Sequence, residues 1–189
     1  GNTYLFMNWK PDNVWANAGG GDGTVNNRID QMADSINSLG SKKIFLTIFH
    51  EPENDVSVNN CATPASGASA GSPAQYVAMW HNVRSRFDAK GVDNVVWVMN
   101  YMGYLGWDCL ANSLWPGNNH VDWIAYDPYG GGTKFFDFSV SRFYNFMTTQ
   151  SNAAHDYLSK PWAIAEHGYN NKDGNSSDQG SIDYWNEGK

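Results

Sequence analysis

Five short, nearly unbroken apolar segments alternate along the chain with longer segments whose apolar residues fall at helical spacing. The short segments predict strands: TYLFMNW (3–9), KKIFLTIFHE (42–51), NVVWVMN (94–100), VDWIAYDPY (121–129) and PWAIAEHGY (161–169). The longer ones predict helices over 25–39, 73–91 and 138–158, the second of which is closed by Gly91. Apolar strands that alternate with helices are typical of a parallel sheet covered by helices, so the pattern predicts an α/β fold.

Polar residues collect where the predicted strands end. The second to fifth strands finish in HE, N, YDPY and EHGY. Parallel strands carry their C-terminal ends at one edge of the sheet, where barrels and open α/β sheets both place their sites. No GxGxxG or GxxxxGK[ST] segment follows a strand, so nucleotide binding lacks its main sequence support.

Two glutamates stand at these strand ends. Strand alternation places Glu51 on the face of Thr47, and it places Glu166 on the face of Trp162 and Ile164. We take both faces to point inward, so each strand aims one carboxylate at the same edge of the sheet. A single glutamate there is as readily a helix cap or a surface ion pair, but two favour a shared site.

Other chemistries fit the same residues less well. His50, Glu51, Glu53, Glu166 and His167 are all metal-ligand types, but alternation turns both histidines away from the neighbouring glutamates. The sequence also contains no HExxH, CxxC or GxSxG segment, which disfavours a catalytic metal and a serine nucleophile. We therefore expect no metal or other cofactor. Two carboxylates beside an aromatic-rich cleft are the groups that cleave a glycosidic bond.

Composition narrows the class of ligand. The chain has 19 acidic and 12 basic residues, a formal charge of −7 and a pI near 5.0, which disfavours nucleic acid as a partner. Aromatic residues make up 15% of the chain, and many stand beside Gly, Asn and Asp. Such rings stack on the C–H faces of sugars, so a carbohydrate is a candidate ligand.

The two cysteines, Cys61 and Cys109, lie in polar loop segments that follow adjacent predicted strands. Buried structural thiols prefer the core, so this placement favours a disulfide over free thiols and predicts a secreted, extracellular protein. No apolar run approaches the roughly 18 to 20 residues that span a bilayer, so no membrane partner is expected.

The motifs FLTIFHE, AKGVDNVVWVMN, WPGNNHVDWIAYDPY and KPWAIAEHG occur in an order that resembles the β-mannanase group of glycoside hydrolase family 26. The resemblance covers nearly the whole chain. It implies that Glu51 is the catalytic acid/base and Glu166 the nucleophile. It further implies that Tyr129 hydrogen-bonds the nucleophile and that His50 is the histidine just before the acid. Trp97, in the third predicted strand, would be the aromatic residue that the family carries on the fifth strand of its barrel.

The chain departs from the family pattern after the acid. The family often has Asn two positions after it, whereas Pro52 and Glu53 stand in that stretch here. The segment NNCATPASGASAGSP replaces the aromatic residues that usually form an acceptor-side sugar platform. These departures bear on substrate preference more than on reaction type. Trp9, at the end of the first strand, and Asn100, at the end of the third, are further candidates for substrate binding.

The five predicted strands correspond to strands three to seven of an eight-stranded barrel, which typically needs about 250 residues. We therefore expect one partial domain over residues 1–189: an incomplete (β/α)8 TIM barrel of about five β/α units, which further segments of a longer chain would complete. The resemblance implies a retaining endo-β-1,4-mannanase that acts on a polysaccharide or oligosaccharide. Two alternatives stay open: a β-glucanase or xylanase of the same clan, and a non-catalytic carbohydrate-binding or structural relative.

Overall fold

A computed structural model describes residues 4–57, 61, 70–130 and 141–169, with residues 182 and 186. Five parallel strands form one sheet in the order β1-β2-β3-β4-β6, and β5 pairs with β7 in a small second sheet. The strands are β1 Leu5–Trp9, β2 Ile44–Ile48, β3 Val95–Tyr101, β4 Trp123–Tyr126, β5 Tyr129–Gly130, β6 Trp162–Ile164 and β7 Gly168–Tyr169. The α-helices are α1 Gly23–Asn37, α2 Pro73–Ala89 and α3 Ser141–Gln150.

Local sequence signals set the helix ends. The side chain of Asp22 accepts hydrogen bonds from the first backbone N–H groups of α1, which have no partner inside the helix. Ser72 and Gln75 form a reciprocal capping box at the start of α2, and Pro73 occupies its first turn. Gly91 has a φ of +69° just beyond α2, a left-handed conformation that ends the helix as the sequence predicts.

The helix-covered face of the sheet carries the main core. Ile44, Leu46 and Ile48 of β2 are buried in one cluster with the apolar faces of α1 and α2. Trp15 packs edge-on against Tyr76 of α2, with ring centroids 5.1 Å apart. Burial of such side chains stabilises each by about 1.5–3 kcal/mol, so this layer holds the helices against the sheet.

The opposite face of the sheet is only partly filled. Phe45 packs edge-on against Tyr4 and Trp123, at centroid distances of 6.2 and 5.3 Å, beside an apolar cavity of about 200 Å³. Leu5 and Phe6 of β1, an outer strand of the sheet, remain exposed. A parallel five-strand sheet with helices between its strands is an incomplete (β/α) barrel, as the sequence predicts.

The third helix is shorter than the sequence predicts. The prediction ran from 138 to 158, whereas α3 ends at Gln150, and residues 138–140 lie outside the described part of the chain. The side-chain oxygen of Asn152 accepts hydrogen bonds from the backbone N–H groups of Ala154 and His155. This local turn competes with the helical hydrogen bonds and accounts for the earlier end.

Candidate active site

The end of β2 does not continue the strand geometry that the sequence predicts. β2 stops at Ile48, and both Phe49 and Glu51 adopt positive φ values, 58° and 52°. Few residues other than glycine occupy this region, so the chain turns sharply here. The ring of Phe49 packs against Trp15 in the core, and the face assigned to Glu51 by alternation no longer follows from the strand.

Glu51 is held at the turn by two neighbouring strands. Its backbone N–H donates to the carbonyl oxygen of Asn100, at the end of β3, over 3.0 Å. Its carboxyl hydrogen-bonds the carboxyl of Asp127, just beyond β4. Burial raises the pKa of Glu51 above its ordinary value, although the nearby His50 and the bond from Asp127 act in the opposite direction.

Glu166 also lies in this cluster, but side-chain alternation along β6 does not explain its position. β6 ends at Ile164, and the ring of Trp162 packs against Tyr144 of α3 on the helix-covered face. The prediction that Trp162, Ile164 and Glu166 share an inward face was therefore wrong, because Glu166 lies beyond the strand. Its backbone N–H instead donates to Asp127 over 3.0 Å.

Tyr129 fixes the carboxylate of Glu166. Its hydroxyl donates a hydrogen bond to Oε2 of Glu166 over 3.1 Å. β5 pairs Tyr129 with Gly168 of β7, and a Cβ atom at position 168 would lie only 2.6 Å from the tyrosine ring. Glycine at that position therefore lets the ring lie directly against the backbone that follows Glu166.

His50 lies between the two glutamates. Its Nε2 is 4.0 Å from Oε2 of Glu51 and 4.0 Å from Oε1 of Glu166. The two carboxylate oxygens are therefore no farther apart than twice that distance. The other ring nitrogen, Nδ1, lies 2.6 Å from the side-chain nitrogen of Asn8. The prediction that alternation turns His50 away from the glutamates was wrong, because the positive φ values beside it redirect its side chain.

Asp127 is the residue of this cluster that sequence reasoning missed. Its carboxyl accepts hydrogen bonds from the Asn100 side chain over 2.7 Å and from the Glu166 backbone. Burial, assisted by the negative charges of Glu51 and Glu166, raises its pKa to about 8. The strand register offered a signal, since Asp127 follows the inward face of β4 in the quoted YDPY segment.

The cluster opens into a cavity of about 760 Å³ at the C-terminal edge of the sheet. Glu51, Glu166 and Tyr129 line it together with Tyr104 and Arg142, which the sequence gave no reason to select. The volume falls within the range of about 300–1,000 Å³ that is usual for ligand sites. Among the described residues, no three His, Cys, Asp or Glu side chains form a group that could hold a metal ion.

The structure places the predicted tryptophans away from this cavity. Trp97 is buried and packs against Phe87 of α2, and Trp9 packs near the same phenylalanine at a centroid distance of 6.5 Å. Neither ring lines the cavity, which corrects the expectation that they bind the substrate. Trp107 and Trp115 are also buried. Aromatic residues in this sheet serve mostly as packing.

Asn100 lies beneath the cluster rather than on its surface. It is buried, its side-chain nitrogen donates to Asp127, and its backbone oxygen accepts from Glu51. These contacts make it a support for both carboxyl groups. Its side-chain oxygen has no hydrogen-bond partner among the described residues.

The predicted disulfide is confirmed: Cys61 and Cys109 are bonded, with Cα atoms 6.0 Å apart. The bond joins the loop after β2 to the loop after β3. No helix in the described part of the chain is long and apolar enough to cross a membrane.

Paired carboxylates at the C-terminal edge of a β/α barrel are the arrangement on which many glycosidases are built. A sequence model of glycosyl hydrolase family 26 matches residues 10–176, and the chain belongs to this family. Endoglucanase H of Acetivibrio thermocellus is 28% identical over an alignment of 160 residues that covers 77% of this chain and 16% of that protein. The family resemblance of the sequence motifs is thereby confirmed.

Solved structures show the same fold. The GH26 domain of an endo-β-mannanase/endo-β-glucanase from Prevotella bryantii matches 92% of this chain and 52% of its own, at 23% identity and a TM-score of 0.63. A GH26-CBM35 β-(1,4)-mannanase from Podospora anserina matches 95% of this chain and 34% of its own, at 20% identity and a TM-score of 0.56. The chain thus spans about half or less of these proteins.

Proposed function

We propose that the protein is a retaining glycoside hydrolase, with Glu51 as acid/base and Glu166 as nucleophile. The observation that carries the proposal is the convergence of both carboxyl groups on His50 in one cavity, each 4.0 Å from the same nitrogen. This places both carboxyl groups within reach of one glycosidic bond, and the retaining mechanism further requires them to act at roughly 5–5.5 Å, where one carboxylate attacks the sugar directly. Membership of glycosyl hydrolase family 26 supports the reaction class.

The mechanism has two displacements. In the first, Glu166 attacks the anomeric carbon while Glu51 gives its proton to the glycosidic oxygen, and the carbon–oxygen bond of the leaving sugar breaks. In the second, Glu51 removes a proton from water, the water oxygen attacks the same carbon, and Glu166 departs as a carboxylate. The anomeric configuration is retained because it inverts twice.

The environment of each carboxyl suits its proposed role. Burial raises the pKa of Glu51, which favours the protonated form that an acid needs at the start. The hydrogen bond from Tyr129 orients and stabilises the Glu166 carboxylate. Asp127 hydrogen-bonds Glu51 and accepts from the Glu166 backbone, so it links the positions of both groups.

For the substrate we propose a β-1,4-linked mannan, cleaved within the chain. Several structures of the same fold come from proteins described as β-mannanases. A β-glucan is the second candidate, because the relative from Acetivibrio thermocellus is an endoglucanase and the Prevotella protein is described as a mannanase and a glucanase. We also propose an extracellular location, which the Cys61–Cys109 disulfide supports.

We further propose that residues 1–189 form one partial domain and that further segments of a longer chain complete the barrel. The exposed apolar residues of β1 and the partly filled face of the sheet support this.

Release of reducing ends from mannan, lichenan and xylan tests the function, with the Glu166→Gln variant as control. The protein as its source organism produces it should cleave mannan fastest, and the variant should cleave none of the three. Cleavage of lichenan or xylan alone would replace the proposed substrate. Binding of a polymer without any cleavage would replace the proposed activity with carbohydrate binding.

A further inference from the structure

We infer that the loop formed by residues 102–108 is a sugar-binding subsite for the leaving side of the substrate, with Tyr104 as its stacking surface. The inference rests on the proposed function and adds the residue that contacts the sugar released in the first step. Tyr104, Leu105 and Gly106 line the same cavity as Glu51 and Glu166.

The loop is anchored from below by Glu53. This carboxyl is only 2% exposed, and its two oxygens accept hydrogen bonds from the backbone N–H groups of Met102 and Gly103 over 3.1 and 3.2 Å. A buried carboxyl costs free energy unless such partners satisfy it. Glu53 stands in the stretch after Glu51 where the chain departs from the family pattern. The residue that holds the loop is therefore one at which this chain differs from that pattern.

Three further contacts fix the loop from its sides. Arg142 of α3 bonds the carbonyl oxygen of Gly103 and pairs with Asp108 over 2.7 Å. The disulfide of Cys109 closes the end of the loop. Gly103 has a φ of +70°, and a Cβ atom there would lie 3.1 Å from the Phe143 ring. These contacts restrain the loop at Gly103, Asp108 and Cys109.

This anchored loop presents its apolar side chains to the cavity. Tyr104 is 52% exposed and Leu105 is 68% exposed, while the next aromatic residue, Trp107, is buried. The Trp107 ring meets that of Tyr104 edge-on at 5.1 Å and supports it from behind. A tyrosine held rigidly with its ring open to a catalytic cavity is suited to stacking on a sugar, because little conformational entropy is lost on binding.

The position of the loop next to the proposed acid places it beside the sugar that leaves in the first step. The loop follows β3, which hydrogen-bonds Glu51, the proposed acid, through Asn100. The acid touches the oxygen of the departing sugar, whereas the nucleophile touches the sugar that is retained. Tyr104 would then take over the acceptor-side role of the aromatic residues that NNCATPASGASAGSP replaces in the preceding loop.

Two substrates distinguish a loss of binding on the leaving side from a general loss of catalysis. The first is the polysaccharide that the protein cleaves. The second is a disaccharide of the same sugar with fluoride at its anomeric carbon. Its leaving group is fluoride, which does not occupy the subsite on the leaving side. We expect Tyr104→Ala to lower the ratio of kcat/KM for the polysaccharide to kcat/KM for the fluoride about tenfold. Tyr104→Phe, which keeps the ring, should restore the ratio. Leu158→Ala, at an exposed apolar side chain outside the cavity lining, is the control.

A Tyr104→Ala ratio equal to that of the unmodified protein would overturn the inference and leave the proposed function standing. If the unmodified protein cleaves neither substrate, the proposed function fails, and calorimetric titration with a mannan oligosaccharide decides the inference. About tenfold weaker binding by Tyr104→Ala would support the subsite, and an unchanged Kd would overturn it.

Discussion

The buried carboxyl of Glu53 predicts a pH-dependent stability that one substitution can isolate. Burial raises its pKa from an ordinary value of 4.5 to about 7, against the opposing effect of its backbone hydrogen bonds. Between these pH values the folded protein keeps the proton while the unfolded chain has released it. Stability therefore falls as pH rises through this window.

The magnitude follows from the size of the shift. A change of one pKa unit corresponds to about 1.4 kcal/mol, so Glu53 makes the folded state about 3 kcal/mol less stable at pH 8 than at pH 4.5. Glu53→Gln removes the titration. It also leaves one of the two backbone N–H groups of residues 102 and 103 without an acceptor, which adds a pH-independent cost of about 1–3 kcal/mol.

Urea unfolding followed by tryptophan fluorescence at about pH 5 and pH 8 measures the effect. From about pH 5 to pH 8, the unmodified protein should lose about 2.5 kcal/mol of unfolding free energy relative to Glu53→Gln. Asp127, whose pKa is also raised, is present in both proteins and cancels. Asp93→Asn, at an exposed position, gives the baseline for removing one carboxylate. A difference that is the same at both pH values would refute the reasoning.

Three further predictions address the site and the loop bond. Glu166→Gln should abolish turnover, whereas Glu51→Ala should still attack substrates with activated leaving groups and regain rate with added azide; a Glu51→Ala variant that azide does not accelerate would contradict its role. Tyr129→Phe removes the hydrogen bond to Glu166, so kcat should fall about tenfold in initial-rate assays, and an unchanged kcat would refute the contribution. The Cys61→Ser/Cys109→Ser double variant opens a loop of 48 residues, so urea unfolding should show a loss of about 4 kcal/mol; equal stability would contradict it.

The order of elements could be predicted from the sequence because each depends on local pattern. Strands buried on both faces read as apolar runs, and the residue that ends α2, Gly91, is a local signal. The pairing of Cys61 with Cys109 followed from their positions after adjacent strands. The convergence of Glu51 and Glu166 followed from the rule that parallel strands end at one edge.

The directions of the side chains at that edge could not be predicted in the same way. Alternation holds only within a strand, and the positive φ values of Phe49 and Glu51 arise from packing and hydrogen bonds that the sequence does not display. Asp127 was missed because its role depends on contacts with three other segments of the chain. Trp97 was misassigned because an aromatic residue on a strand has the same sequence signature in a core as in a sugar site.

The stereochemistry of cleavage tests the central claim most directly. Proton NMR of the first product released from the β-linked polysaccharide that the protein cleaves distinguishes the two outcomes before mutarotation mixes them. If Glu166 attacks the anomeric carbon and Glu51 then activates water, the β-anomeric signal should appear first. Initial appearance of the α-anomer would contradict the account, because it requires water to attack directly and leaves Glu166 no role as nucleophile.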